Sequence, residues 1–209
     1  MKSLALASSL GLLLLGSLSA QETPRLGYSL GAGFTSPVGT TGSRLNTGWN
    51  LRGGVGYNFS PYAGVMLDLG YDSFKINRAT LDTIGVPDGG IKIFSATVNP
   101  IVHLNPRGHV DIYVTGGGGL YRRHLEFTQP TVAITTAFDP FFGFYPVAIG
   151  ANQVIDSYSV NKPGVNAGIG ISVGTKWRGK LFAEARYNRI FMGGGRHTDY
   201  LPVTFGFRR

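Results

Sequence analysis

Residues Val165–Ile190 constrain the fold most strongly, because apolar side chains alternate strictly with small or polar ones. The first half sets Val165, Ala167, Ile169, Ile171, Val173, Thr175 and Trp177 against Asn166, Gly168, Gly170, Ser172, Gly174 and Lys176. After a short Arg178-Gly179 turn, Leu181, Ala183, Ala185 and Tyr187 alternate with Glu184, Arg186 and Asn188. A period of two indicates β-strands, because successive strand side chains face opposite sides of a sheet. A sheet with one apolar face and one polar, glycine-rich face is typical of a transmembrane β-barrel.

The composition favours a membrane barrel over a helical bundle or a soluble sandwich. The chain has 32 glycines among 209 residues, and only 14% of its residues are charged, against about 25% in typical soluble domains. After the first twenty residues, no apolar run is long enough for a membrane helix. The net charge of +8 comes from scattered basic residues, so we expect anionic lipids rather than nucleic acid as the counter-charge.

The first twenty residues have the organisation of a secretory signal peptide. Lys2 provides the positive start, Leu4–Leu15 forms the apolar region, and Ser17–Ala20 supplies the small-residue end. The alternative is a retained membrane anchor. We therefore expect a signal peptide over residues 1–20, one barrel domain over residues 21–209, and export to the outer membrane.

The same alternation predicts about eight antiparallel strands in an up-and-down barrel. The predicted strands are Arg25–Thr35, Asn46–Phe59, Tyr62–Ser73, Ile91–Leu104, His109–Thr128, Gln153–Trp177, Lys180–Phe191 and Tyr200–Arg208. Long and short connections alternate along the chain, as expected for short periplasmic turns and longer external loops. The long connections are predicted to be loops: a Gly-, Thr- and Ser-rich one from the first strand to about Leu45, then Phe74–Gly90, Gln129–Asn152 and Met192–Asp199.

Several segments resemble the small eight-stranded outer-membrane barrels, the OmpA-, OmpX- and OmpW-like group. The resemblance is carried by Tyr57–Pro61, Gly116–Tyr121, the Leu181–Tyr187 strand and a phenylalanine-rich last strand. It implies a structural surface protein, an adhesin or a narrow pore. We also expect a monomer whose partners are outer-membrane lipids, lipopolysaccharide and the barrel-assembly machinery.

Seven charged residues are predicted to point into the barrel and to form an interior polar network. They are Arg52, Asp68, Asp72, Asp111, Lys176, Glu184 and Arg186. One interpretation is an ion-pair network that fills the interior, since an eight-stranded barrel is just wide enough for side chains and buried charges need partners. The other is a conducting or solute-binding pore lined by these groups.

We predict no enzymatic activity, cofactor or metal. The glycine runs Gly116–Gly119 and Gly193–Gly195 lack the Lys-Ser/Thr pair of a phosphate loop, and the four histidines lack metal-ligand spacing. The alternative is an outer-membrane lipid-modifying enzyme that uses His197-Thr198-Asp199, or His124 with Glu126. Neither group comes with a recognisable serine nucleophile in the sequence.

The predicted loop Gln129–Asn152 contains an unusual aromatic cluster, a candidate contact site. Its members are Phe138, Phe141, Phe142, Phe144 and Tyr145. They either pack on one another or on the outer leaflet, or form a lid over the barrel mouth for an apolar ligand. The leading hypothesis is a structural or surface-interaction role; a narrow channel for small apolar molecules is the alternative.

Overall fold

The computed structural model describes residues 26–174 and 179–209 and confirms an eight-stranded barrel. The strands are β1 (Leu26–Pro37), β2 (Gly48–Asn58), β3 (Ala63–Lys75), β4 (Asp88–His103), β5 (Val110–Asp139), β6 (Gly143–Gly174), β7 (Lys180–Gly193) and β8 (Arg196–Arg208). Each strand pairs antiparallel with the next, and β1 pairs with β8 to close the ring. The predicted signal peptide, Lys176 and most of the turn before β7 lie outside the described residues.

The predicted alternation is present in the described strands. Ile169 and Ile171 on β6 are exposed on the outer wall, whereas Asn166 and Ser172 on the same strand are buried inside. On β7, Leu181 faces out while Glu184, Arg186 and Asn188 face in and are buried. The outer wall also carries a row of three contacting aromatic rings, Trp49, Tyr71 and Phe94, with centroids 5.0 and 4.8 Å apart. Such rings are typical of a membrane–water interface.

The prediction of a loop over Gln129–Asn152 is wrong. Strands β5 and β6 continue through this segment and pair from Gln129↔Gln153 to Asp139↔Gly143. The segment contains many β-branched and aromatic residues, which favour strands. Pro130 and Pro146 are compatible with pairing because each strand of a two-stranded ribbon has one free edge, where a missing N–H costs nothing. We call residues 129–153 the hairpin arm.

The tip of the hairpin arm is a tight turn. The Asp139 carboxylate accepts hydrogen bonds from the backbone N–H groups of Phe141 and Phe142 at 2.7 and 3.2 Å. Gly143 has a φ of 75°, in the left-handed region that glycine adopts readily. The side chain of Asp139 and the glycine therefore turn the chain directly from β5 into β6.

Two other predicted long loops, Phe74–Gly90 and Met192–Asp199, also contain regular structure. A short helix, α1 (Arg78–Ile84), forms within Phe74–Gly90 because the Asn77 side chain accepts from Thr80 N–H at 2.8 Å and Gly85 terminates the helix. The predicted Met192–Asp199 loop is mostly strand, since β8 begins at Arg196. Three consecutive glycines with positive φ make that turn short. In the described ranges, no helix combines the length and apolar content required to cross a membrane.

Candidate functional site

The centre of the barrel contains a buried ion cluster whose side chains come from β3, β4 and β7. Arg186 pairs with Asp68 at 2.8 Å and with Glu184 at 2.7 Å. Asp68 also accepts a hydrogen bond from the Asn99 side chain at 2.7 Å. All four side chains are buried, so the single guanidinium compensates two carboxylates where water is scarce.

The other members of the predicted interior network that the structure describes belong to two further groups. Arg52 and Asp72 are both buried, and Asp72 lies near the Arg52 charge and near the hydroxyls of Thr35 and Tyr200. Asp111 lies towards the end of the barrel that carries the short turns, which we call the short-turn end. Its Oδ2 is 2.6 Å from His103 Nδ1 and 3.6 Å from Lys180 Nζ. The predicted network is therefore three clusters. His103 and Lys180 were absent from the predicted set.

Side chains fill most of the described barrel interior. Beside Arg52, Asp68 and Arg186 there is a cavity of only about 10 Å³, which holds no more than one water molecule. A larger cavity of about 320 Å³ opens at the short-turn end, where His103, Lys180 and Arg208 line it. At the opposite end, an apolar cluster closes the interior and comprises Leu45, Phe74, Ile76, Leu81, Ile91, Ile93, Tyr121, Ile190 and Tyr200. The strand alternation places Ile91 and Ile93 inward, but it does not reveal that they belong to one cluster with Leu81 of α1.

The hairpin arm extends beyond the rest of the barrel. The last β4 partner of β5 is Thr128, so residues 129–139 continue for roughly 35 Å at about 3.3 Å per residue. Phe138, Phe141, Phe142 and Phe144 near the tip are exposed, Phe141 at 91% and Phe142 at 84%. These rings therefore do not form the predicted lid over the barrel mouth.

Two histidine clusters lie on the outer wall or rim at the same end. His197 is 3.2 Å from Asp199, but both carboxylate oxygens of Asp199 accept hydrogen bonds from Arg189. His124 contacts Glu126 at 2.8 Å and, on the neighbouring strand, Ser159 at 2.6 Å. The pairing of His124 with Glu126 was predictable from their spacing, but the contact with Ser159 was not, since it depends on the register of β5 against β6.

The electrostatics of this outer cluster depend on Lys92. Its Nζ lies 2.6 Å from Glu126 Oε2. The hydrogen bond from Lys92 lowers the pKa of Glu126, and the same bond raises the pKa of Lys92. Glu126 is therefore a carboxylate at neutral pH and accepts hydrogen bonds through both oxygens. In residues 26–174 and 179–209, no group of three or more His, Cys, Asp and Glu side chains is arranged to hold a metal ion.

Comparisons with known proteins identify the family. The outer membrane protein beta-barrel domain family matches residues 7–139, which is more than half of the chain. No curated protein sequence matches. Among solved structures, Neisserial surface protein A is similar, with a TM-score of 0.55, 15% identity, and coverage of 88% of this chain and 95% of that one.

A second solved structure with the same fold comes from Thermus thermophilus. This major outer membrane protein has a TM-score of 0.55 and 12% identity, and the match covers 88% of this chain and 98% of that one. At such low identity the two structures support the fold alone. Together with the family match and the closed ring of strands, they show that the chain belongs to the outer membrane protein beta-barrel domain family and resides in the outer membrane.

Proposed function

We propose that this chain is a surface-interaction protein, in which a filled barrel anchors the hairpin arm in the outer membrane. The observation that carries the proposal is the group of exposed rings near the tip, Phe138, Phe141, Phe142 and Phe144. Exposed apolar clusters usually mark contact sites. In outer-membrane barrels the longer connections face the outside of the cell, so the arm would project from the cell surface. The proposed role is contact and requires no catalysis.

The filled interior supports an anchoring role over a transport role. The ion cluster around Arg186 and the apolar cluster around Phe74 occupy successive levels of the barrel. A solute would have to displace both, and breaking a buried ion pair costs about 3–5 kcal/mol. This favours the structural role over the narrow channel.

The charges of the arm indicate what kind of surface it contacts. Between Arg123 and Lys162 the chain has no lysine or arginine, and its charged residues are Glu126, Asp139 and Asp156. A polyanion would find no cation there to pair with. Each aromatic ring removes about 150–250 Å² from water when it is covered. The arm therefore suits an apolar partner surface.

The proposal is tested by the retention of intact cells on phenyl-coated and uncoated beads. The cells display either the parent chain or a variant with Phe138, Phe141, Phe142 and Phe144 changed to serine. We expect the parent to be retained on phenyl beads, and to remain so in high salt, because apolar contacts are not screened. The variant should be released.

A matched control removes an aromatic ring at the opposite end of the barrel. Phe59 is also exposed but lies by the short β2–β3 turn, so Phe59→Ser should leave retention unchanged. A heat-modifiable band on gels confirms that each chain is folded in the membrane. Equal retention of the parent and the four-serine variant would refute the contact role of the tip.

A further inference from the structure

Three side chains on the outer wall form a hydrogen-bonded series of hydroxyl, imidazole and carboxylate. Ser159 Oγ lies 2.6 Å from His124 Nδ1, and His124 Nε2 lies 2.8 Å from Glu126 Oε1. His124 and Ser159 are register partners on β5 and β6, and Glu126 follows His124 by two residues on the same face. Both distances fall within the range of about 2.6–3.2 Å that a nucleophile and its base require.

The hydrogen bonds determine which nitrogen of the imidazole carries the proton. Glu126 can only accept, because Lys92 bonds its other oxygen and favours the ionised form. Nε2 must then donate, which leaves a lone pair on Nδ1 in the neutral ring. That lone pair faces the Ser159 hydroxyl. The arrangement therefore makes His124 a base towards Ser159, with Glu126 orienting the ring.

The cluster lies just beyond a row of aromatic rings on the outer wall, on the side of the long connections. Phe94 belongs to the ring row Trp49–Tyr71–Phe94 and pairs in register with Arg122. Lys92 pairs with His124 two residues further along, roughly 6–7 Å above the rings. Aromatic belts mark the headgroup level of a membrane. The three side chains are thus placed beside the headgroups of the outer leaflet.

We propose that Ser159, His124 and Glu126 form an esterase site that hydrolyses carboxylic esters of anionic outer-leaflet lipids. Ser159 is the nucleophile and His124 the general base, while Glu126 acts as a positioning residue. The exposed Arg122, on the same wall next to His124, attracts the lipid phosphate. This activity is independent of the contact role of the hairpin arm and contradicts the expectation that the chain is not an enzyme.

The reaction balances with water as the only co-reactant. Ser159 Oγ attacks the ester carbonyl carbon as its proton passes to His124 Nδ1. The tetrahedral adduct expels the alcohol, which takes that proton from His124, and the acyl group remains on Ser159. A water molecule then gives a proton to His124 and attacks the acyl carbon. Ser159 recovers the proton, and the free fatty acid is released.

The first test measures fatty acid release by mass spectrometry from the refolded protein in mixed micelles. One set of micelles contains phosphatidylglycerol and the other contains lipid A, which distinguishes the two sources of an anionic acyl ester. We expect the parent to release fatty acid from at least one of the two sets of micelles. Ser159→Ala and His124→Ala should lower the rate by about 10²-fold or more, the usual contribution of a nucleophile or base.

The matched control is Ser157→Ala. Ser157 is the register partner of Glu126, two residues from Ser159 on the same face, and this variant should retain the parent rate. Heat modifiability on gels shows whether each variant is folded, and substitutions on the outer rim leave the interior clusters intact. Loss in Ser159→Ala with retention in Ser157→Ala assigns the nucleophile.

The second test labels the serine with a fluorophosphonate and maps the adduct. Labelling of Ser159 in the parent, with no labelling of Ser157 in Ser159→Ala, supports the site. Glu126→Gln should slow the labelling of Ser159 about tenfold or more without changing its position, which a merely structural role of Glu126 would not produce. Equal fatty acid release by the parent and Ser159→Ala, together with no label on Ser159, would overturn the proposal.

Discussion

Arg186 on β7 donates to Asp68 on β3 across the barrel interior, with 2.8 Å between Nη1 and Oδ2. Arg186 also pairs with Glu184 on its own strand. Two strands that are not neighbours in the ring are thus joined through one guanidinium. Because all three side chains are buried, loss of the cation would leave two carboxylates without compensation.

Replacement of Arg186 should therefore destabilise the barrel strongly. We expect Arg186→Met to lower the free energy of unfolding in micelles by about 3–5 kcal/mol, as for a broken buried ion pair. Glu184→Gln should cost less, about 1–3 kcal/mol, because Asp68 still pairs with Arg186. The control is Arg78→Met, which removes a highly exposed pair with Asp82 and should have little effect. A loss below about 0.5 kcal/mol for Arg186→Met would indicate a water-filled interior.

The orientation of β6 can be tested with adjacent residues. Ile171 is exposed on the outer wall and Ser172 is fully buried. Ile171→Arg should cost about 2–4 kcal/mol if the residue lies near the middle of the bilayer. A spin label at position 171 should be relaxed by oxygen dissolved in the lipid, and one at position 172 should not. Equal oxygen accessibility at both positions would contradict the register.

Gly170 provides a test of close packing in the interior. A Cβ atom at this position would overlap the Tyr113 ring, so we expect Gly170→Ala to cost about 1–3 kcal/mol through overpacking. Gly53 is the matched control, since a Cβ there would lie 3.7 Å from Leu30 Cδ1, an ordinary contact. Chemical unfolding in micelles compares the two variants, and equal stabilities would show that the Tyr113 ring moves freely.

The Lys92–Glu126 pair should make the outer rim sensitive to acid. The pKa of Glu126 is lowered mainly by the hydrogen bond from Lys92. A lowered pKa in the folded state means that the stabilisation is complete above the unfolded value and is lost as the pH falls through the folded value. The relevant window therefore lies below the ordinary value of 4.5.

Carbon-13 NMR of the Glu126 carboxyl group in micelles measures this shift directly. We expect a titration midpoint below the ordinary value in the parent and a higher midpoint in Lys92→Met, which removes the donor. High salt should reduce the difference, because both side chains are partly exposed. Identical midpoints in the two proteins would show that the pair does not form in solution.

The filled interior predicts that the barrel does not conduct ions. In planar bilayers we expect no steady current above the leak of the lipid alone. Deletion of Phe138–Tyr145 should not change this, because the exposed tip does not cover the barrel mouth. An ohmic current in the parent would show that the clusters around Arg186 and Phe74 open. A current that appears only after the deletion would restore the lid hypothesis.

The direction of most barrel side chains was predictable from the sequence alone. The face on which Ile171 or Glu184 lies depends only on the two-residue period of its own strand. The same local rule places Arg52, Asp68 and Arg186 inside. Regular structure within the long connections was harder to predict, because prolines and aromatics near the arm tip are compatible with both a loop and a free-edged ribbon.

The sequence by itself therefore determined the class of fold, the membrane it suits and the two faces of each strand. Only the tertiary structure decided which side chains meet. Asp68 and Arg186 are 118 residues apart and His124 and Ser159 are 35 apart, and these contacts depend on how one strand is shifted against the next. That shift is set by hydrogen bonding and closure of the whole ring, which no local pattern records.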